Sequence, residues 1–163
     1  MVLFATYGLH HDPHVYPAAL VGKPVPKMAM APLQGGPPTQ ILTALKGPGV
    51  VNLFQSTCAP CAQEAPQLKR LSENGVSLVG VAWRDQPAAT QTFLDRWGNP
   101  FGTVLQDPTG AAAVEFGISG VPETFVVDGK GVIVSKHIGA MTDKDVQDLT
   151  DQVELLRTQG AKS

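Results

Sequence analysis

The chain has 163 residues, and a single domain commonly takes about 100–200. Hydrophobic residues make up 43% and charged residues 16%, with 12 basic against 14 acidic side chains for a net charge of -2. That balance leaves no positive field to grip a polyanion, so nucleic-acid binding is excluded. No apolar run reaches the roughly 18–20 residues of a membrane span, and two cysteines are too few for a disulfide-framework miniprotein.

Residues 2–9 form a short apolar stretch, followed by His10-His11-Asp12-Pro13-His14 and a segment broken by Pro17, Pro24 and Pro26. Proline fixes φ and removes a donor, so this region reads as an extended lead-in. Residues 34–38, Gln-Gly-Gly-Pro-Pro, read as a turn. The β-branched apolar run at 50–54 predicts a buried strand. Residues 62–73 predict a helix stopped at Asn74-Gly75, and 76–83 a second buried strand. Residues 87–97 predict a helix closed by Gly98-Asn99-Pro100, followed by a short strand at 103–105. Asp107 offers an N-cap with Pro108 in the first helical position, for a short helix through Phe116. Strands at 124–127 and 132–137 flank Asp128-Gly129-Lys130-Gly131, a hairpin signal. Thr142 with Asp145 resembles a capping box opening a last helix to about residue 157. Alternating strands and helices imply parallel pairing with helices on the sheet faces, and the terminal hairpin makes the sheet mixed.

Both cysteines lie in Ser56-Thr57-Cys58-Ala59-Pro60-Cys61, between the first strong strand and the first helix. Residues three apart on a helical turn sit about 5–6 Å apart, within disulfide range. So small a ring constrains the unfolded chain little, so the pair suits a switch better than a staple. A helix N-terminus stabilises a thiolate at Cys58, and Cys61, deeper in the turn, is expected to be shielded and to act second. Pro60 suits a first turn, where its missing N–H costs nothing. A zinc site, two inert thiols and a lone peroxidatic cysteine are the alternatives. Zinc would need further ligands from four histidines, three of them in the tail. The His10-His11-His14 cluster could itself bind a metal but has no carboxylate support. Trp83, Phe93, Trp97 and Phe101 are expected in the core rather than against a cofactor.

A second marker is Gly117-Ile118-Ser119-Gly120-Val121-Pro122-Glu123-Thr124-Phe125, where a proline opening a strand is compatible with a cis peptide. With Leu20-Val21-Gly22-Lys23-Pro24-Val25-Pro26, residues 50–54, Trp83-Arg84-Asp85 and Trp97-Gly98-Asn99-Pro100-Phe101, these residues make the chain resemble the thioredoxin superfamily. Within it they resemble the CcmG/DsbE proteins of cytochrome c maturation, over residues 19–158. The match to the G-V-x-G-V-P-E-T-F-x-x-D signature is the most specific part.

The resemblance implies an α/β, thioredoxin-like three-layer sandwich with a mixed central sheet, an N-terminal extension and a central helical insert. It implies a thioredoxin-like domain over 23–163 and a tail over 1–22, the remnant of a membrane anchor and linker. It implies a periplasmic thiol:disulfide oxidoreductase, a reductant tethered to the inner membrane. By position, Cys58 is the attacking thiol, Cys61 the resolving thiol and Pro122 the cis-proline after Val121. Glu64 and Glu123 match the acidic residues around the site, where a carboxylate opposes thiol ionisation and the helix dipole favours it. Read without the family, Glu64 is a first-turn acid complementing the dipole and Glu123 an edge-strand carboxylate. Thr57 stands where the family usually has Trp, offering partners a small hydroxyl in place of a large apolar surface. The expected partners are apocytochrome c or a maturation protein, with a membrane thiol reductase as electron donor; no metal, nucleotide or flavin is required. The alternatives are a general periplasmic reductant and a non-catalytic binding module of the same fold.

Overall fold

The computed structural model describes residues 20–161. The apolar start and the His10-His11-His14 cluster lie outside the described residues.

Five strands form the central sheet: β3 (Gly49–Phe54), β4 (Ser77–Trp83), β5 (Thr103–Asp107), β6 (Glu123–Val127) and β7 (Ile133–Ile138). Their order is β5-β4-β3-β6-β7, with β3 parallel to β4, β4 parallel to β5, and β6 antiparallel to both β3 and β7. The chain thus has the mixed sheet and flanking helices of a thioredoxin-like sandwich. Two small elements precede it, β1 (Ala29–Met30) and β2 (Thr39–Gln40), an antiparallel pair leading into α1 (Ile41–Leu45). Periodicity gives no warning of these elements, because strands of two residues and a helix of five are too short to carry a period.

Strand alternation divides the sheet into two cores. On one face Val50, Phe54, Leu78, Ala82, Val104 and Val126 pack against three helices. These are α3 (Ala65–Glu73), α4 (Pro87–Trp97) and α6 (Asp143–Gly160). On the other, Val51, Leu53, Val79, Val81, Leu105 and Phe125 pack against α1 and α5 (Ala111–Glu115). Both sheet edges are partly covered by the early chain. Gly22 and Val25 N–H groups donate to Ile133 and Gly131 carbonyls beside β7, and Leu33 N–H donates to Val104 on β5.

The structure corrects three local expectations. The helix expected over 62–73 is two, α2 (Ala59–Gln63) and α3, sharing Glu64 as a cap. Pro66 lacks the N–H that would bind the Ala62 carbonyl, and that missing bond breaks the helix. Asp107 does not cap a helix opening at Pro108. It ends β5, its carboxylate accepts the Ala113 N–H at 3.0 Å, and the helix starts after Gly110 in the left-handed region, φ 79°. Trp97 is not core: it is 45% exposed, with Arg96 stacked on its ring at 5.0 Å. Phe93 and Phe101 are buried as expected, their rings 5.7 and 5.2 Å from Phe54, and Trp83 is half-buried. The Thr142–Asp145 capping box is present. The hairpin turn is held by Asp128 Oδ1 accepting from Lys130 and Val132 N–H.

Candidate active site

Cys58 ends the loop after β3 and is the N-cap of α2, in extended conformation. Its sulfur accepts the Cys61 N–H at 3.1 Å, occupying one of the orphan donors of a helix start. Pro60 lies in the first turn of α2, where its missing N–H goes unneeded. Cys58 and Cys61 are disulfide-bonded, with Cα atoms 5.3 Å apart. The two sulfurs differ in access: Cys61 is 2% exposed and Cys58 only half-buried. Cys58 Sγ lies 3.5 Å from the Val121 carbonyl oxygen, and the Val121–Pro122 bond that follows is cis. One sheet end therefore brings together Thr57, Cys58, Pro60, Cys61, Val121 and Pro122. Thr57 is exposed there and donates its hydroxyl to Gln55 Oε1 at 3.1 Å.

Cys58 opens onto a groove of about 610 Å³ lined by Thr57, Ala62, Pro66, Phe93 and Trp97. Trp97, 45% exposed, lines the same groove as Cys58. Asp85 anchors the loop from beneath. Its carboxylate accepts the Ser56 N–H and hydroxyl, both at 2.8 Å, and the Thr90 hydroxyl at 3.0 Å. One buried acid thus ties the cysteine loop to the start of α4.

Glu64 follows Cys61 by one turn, caps the junction of α2 and α3, and is fully buried. Its Oε1 accepts Asn52 Nδ2 at 2.9 Å and its Oε2 accepts the Met141 N–H at 3.2 Å. Burial raises its pKa from 4.5 to about 7, and the two hydrogen bonds pull the other way. Glu123 is equally buried but sits on a strand flanked on both sides, which corrects the edge-strand reading. Its carboxylate lies 2.6 Å from Lys136 Nζ and accepts the Ser119 N–H at 2.9 Å and hydroxyl at 2.8 Å. This ties down the loop that leads to Val121.

Asn52, Asp85 and Thr124 escaped the sequence reading as site residues. Asn52 carried a signal, a single amide inside an otherwise apolar run. Asp85 carried another, an acid just past the C-terminal end of a parallel strand. Among the described residues no group of three or more His, Cys, Asp or Glu is arranged to hold a metal ion.

The Redoxin family profile matches residues 20–153. The chain belongs to the Redoxin family. It is 38% identical over 134 residues to the thiol:disulfide interchange protein HelX of Rhodobacter capsulatus, covering 82% of this chain and 76% of that protein. It is 35% identical over 162 residues to the thiol:disulfide interchange protein DsbE of Allochromatium vinosum, covering 96% and 87%. The structure of a DsbE-type protein from Chlorobium tepidum superposes with a TM-score of 0.70 at 24% identity, covering 83% of this chain and 95% of that one, which shows the shared fold. With its cysteine pair at the helix start, this redoxin is a thiol:disulfide oxidoreductase.

Proposed function

We propose that this redoxin reduces the paired cysteines of an apocytochrome c haem-binding segment, or of a maturation partner, and is itself re-reduced by a membrane thiol reductase. The observation that carries this reading is the unequal access of the two sulfurs, Cys58 open to the groove and Cys61 2% exposed. Cys58 thiolate attacks one sulfur of the target disulfide, forming a mixed disulfide and releasing the other target sulfur as thiolate. Cys61 gives up its proton, and its thiolate attacks Cys58 Sγ. The Cys58–Cys61 disulfide forms and the second target thiol leaves. Two electrons pass to the target. Glu64, one turn from Cys61, receives the Cys61 proton. The Val121 carbonyl and the backbone at Pro122 offer an extended target strand a place to pair beside Cys58. Thr57 and Pro60 form the exposed surface around Cys58, and the buried Glu123 holds the loop that leads to Val121.

The site of action is the periplasm, with residues 1–22 as a tail, the remnant of an anchor and linker, and 23–163 as the working domain. No helix among the described residues is long and apolar enough to cross a membrane.

The test is trapping with Cys61→Ala, which leaves the attacking thiol and removes the resolving one. It is incubated with an oxidised peptide containing C-x-x-C-H and run on a non-reducing gel. External thiols compete, so the expected adduct is strong but incomplete, vanishes with reductant and weakens with Pro122→Thr. Equal trapping of unrelated disulfide peptides would favour a general reductant, a reading that the small Thr57 supports. No adduct, with Cys58 free, would favour a non-catalytic binding module.

A further inference from the structure

The pairing around Glu64 leaves one buried atom unexplained. Asn52 Nδ2 donates to Glu64 Oε1 at 2.9 Å and to Thr124 Oγ1 at 3.0 Å. Asn52 Oδ1, also buried, has no hydrogen-bond partner among the described residues. Buried acceptors are rarely left unpaired, because losing water without a replacement is costly. Asn52 is 0% exposed and sits in the middle of a central strand, opposite Thr124 on β6. Its side chain therefore cannot turn to solvent.

An amide is nearly symmetric in shape but opposite in chemistry at its two ends. The observed orientation suits an ionised Glu64, which only accepts. Once Glu64 is protonated, its O–H needs an acceptor, and Nδ2 facing it cannot serve. Turning the amide over brings Oδ1 to that place. Thr124, whose hydroxyl both donates and accepts, can then give its proton to the same oxygen.

We propose that Asn52 is a positioning residue whose side-chain amide reverses as Glu64 gains a proton, holding the carboxylate through Nδ2 and the carboxylic acid through Oδ1. This rests on the reading of Cys61 as the resolving thiol. When Cys61 ionises, its proton moves to a Glu64 oxygen, leaving one thiolate and one carboxylic acid. The reversal gives that O–H an acceptor and leaves the amide NH₂ where Oδ1 has no partner, so the turned orientation holds only while Glu64 carries the proton. Among the described residues, the other titratable groups facing this row are Cys61 on α2 and His137 on β7. His137 is paired across the sheet with Thr124, and its Nδ1 is 3.7 Å from Asp145 Oδ1 on α6. Glu123 and Lys136 lie on the opposite sheet face.

The experiment uses the full oxidised chain, so that the cysteines do not titrate, and follows Glu64 by its side-chain carboxyl ¹³C signal through a pH titration. In the wild type, an NOE from the Asn52 side-chain NH₂ to the Thr124 methyl is expected above the Glu64 midpoint and lost below it. The same NOE on both sides of the midpoint overturns the reversal. Asn52→Leu keeps the volume and removes both partners. Because the bond to the charged carboxylate is the stronger of the two that Asn52 makes, it should raise the proton affinity of Glu64 by about threefold, short of the roughly tenfold shift expected of an amide that held the carboxylate alone, and move the pH profile of mixed-disulfide resolution by the same amount. An unmoved midpoint overturns the assignment. Thr124→Val, which keeps the shape and removes only the hydroxyl, should shift the midpoint the same way by less. It serves as the second test if Asn52→Leu does not fold. These signals read Glu64 and Asn52 directly, so failure of the cytochrome reading would leave them intact.

Discussion

Glu64 and Glu123 lie on opposite faces of the central sheet. Glu64 is bonded to Asn52 on the face that carries Cys61. Glu123, paired in register with Leu53, points to the face that carries Phe125 and Phe116. The two acids therefore brace different parts of the fold: Glu64 joins Asn52 to the Met141 backbone, and Glu123 holds the loop that leads to Val121.

Stability should report the Glu64 proton. Its value in the folded chain, about 7, lies above the ordinary 4.5, so the folded state holds a proton that the unfolded chain has released. The contribution is fully present below the unfolded value and is lost as pH rises through 7. At about 1.4 kcal/mol per unit the difference is about 3 kcal/mol. Urea denaturation of oxidised Glu64→Gln should show a flatter pH dependence than wild type between mildly acidic and alkaline pH, with a gain of up to about 3 kcal/mol at the alkaline end. Parallel curves for the two proteins would refute it.

The Glu123–Lys136 pair should be costly to break from one side. Both groups are buried, at 1% and 7% side-chain exposure. Lys136→Met alone should destabilise by about 3–5 kcal/mol, because an unpaired charge remains inside. Combining it with Glu123→Gln should recover much of that loss. Equilibrium denaturation of both singles and the double decides, and strict additivity would contradict the pairing.

Reduced protein treated briefly with iodoacetamide should be alkylated at Cys58 before Cys61. The N-cap position favours the thiolate, and the groove gives the reagent access, while Cys61 is 2% exposed. Peptide mass spectrometry checks the order. Preferential labelling of Cys61 would reverse the assigned roles.

Trp97→Ala should leave the fold within about 1 kcal/mol, since this side chain is 45% exposed and surface changes are usually small. It should slow reduction of a protein disulfide several-fold while leaving reduction of a small disulfide unchanged. The comparison of the two rates is the measurement. Equal slowing of both would mean that the groove is not where protein targets lie.

Features with local causes are legible in the chain alone. Pro87 and Gly98 bound α4 at the residues the chain order predicts, because a proline at a helix start and a glycine after its end act on their own backbone. The Thr142–Asp145 box and the Cys-x-x-Cys spacing are equally short-range. Tertiary structure alone decided where side chains separated along the chain meet. Asn52, Glu64, Thr124 and Met141 converge only because β3 and β6 pair in one register and the approach to α6 closes over them. Strand alternation relates neighbours, and a shift of one residue would exchange the faces of Thr124 and Glu123. Trp97 shows the same limit. Its helical spacing from Phe93 suits a core position, yet the next elements leave its ring uncovered, and coverage depends on the rest of the chain, not on the helix that carries the residue.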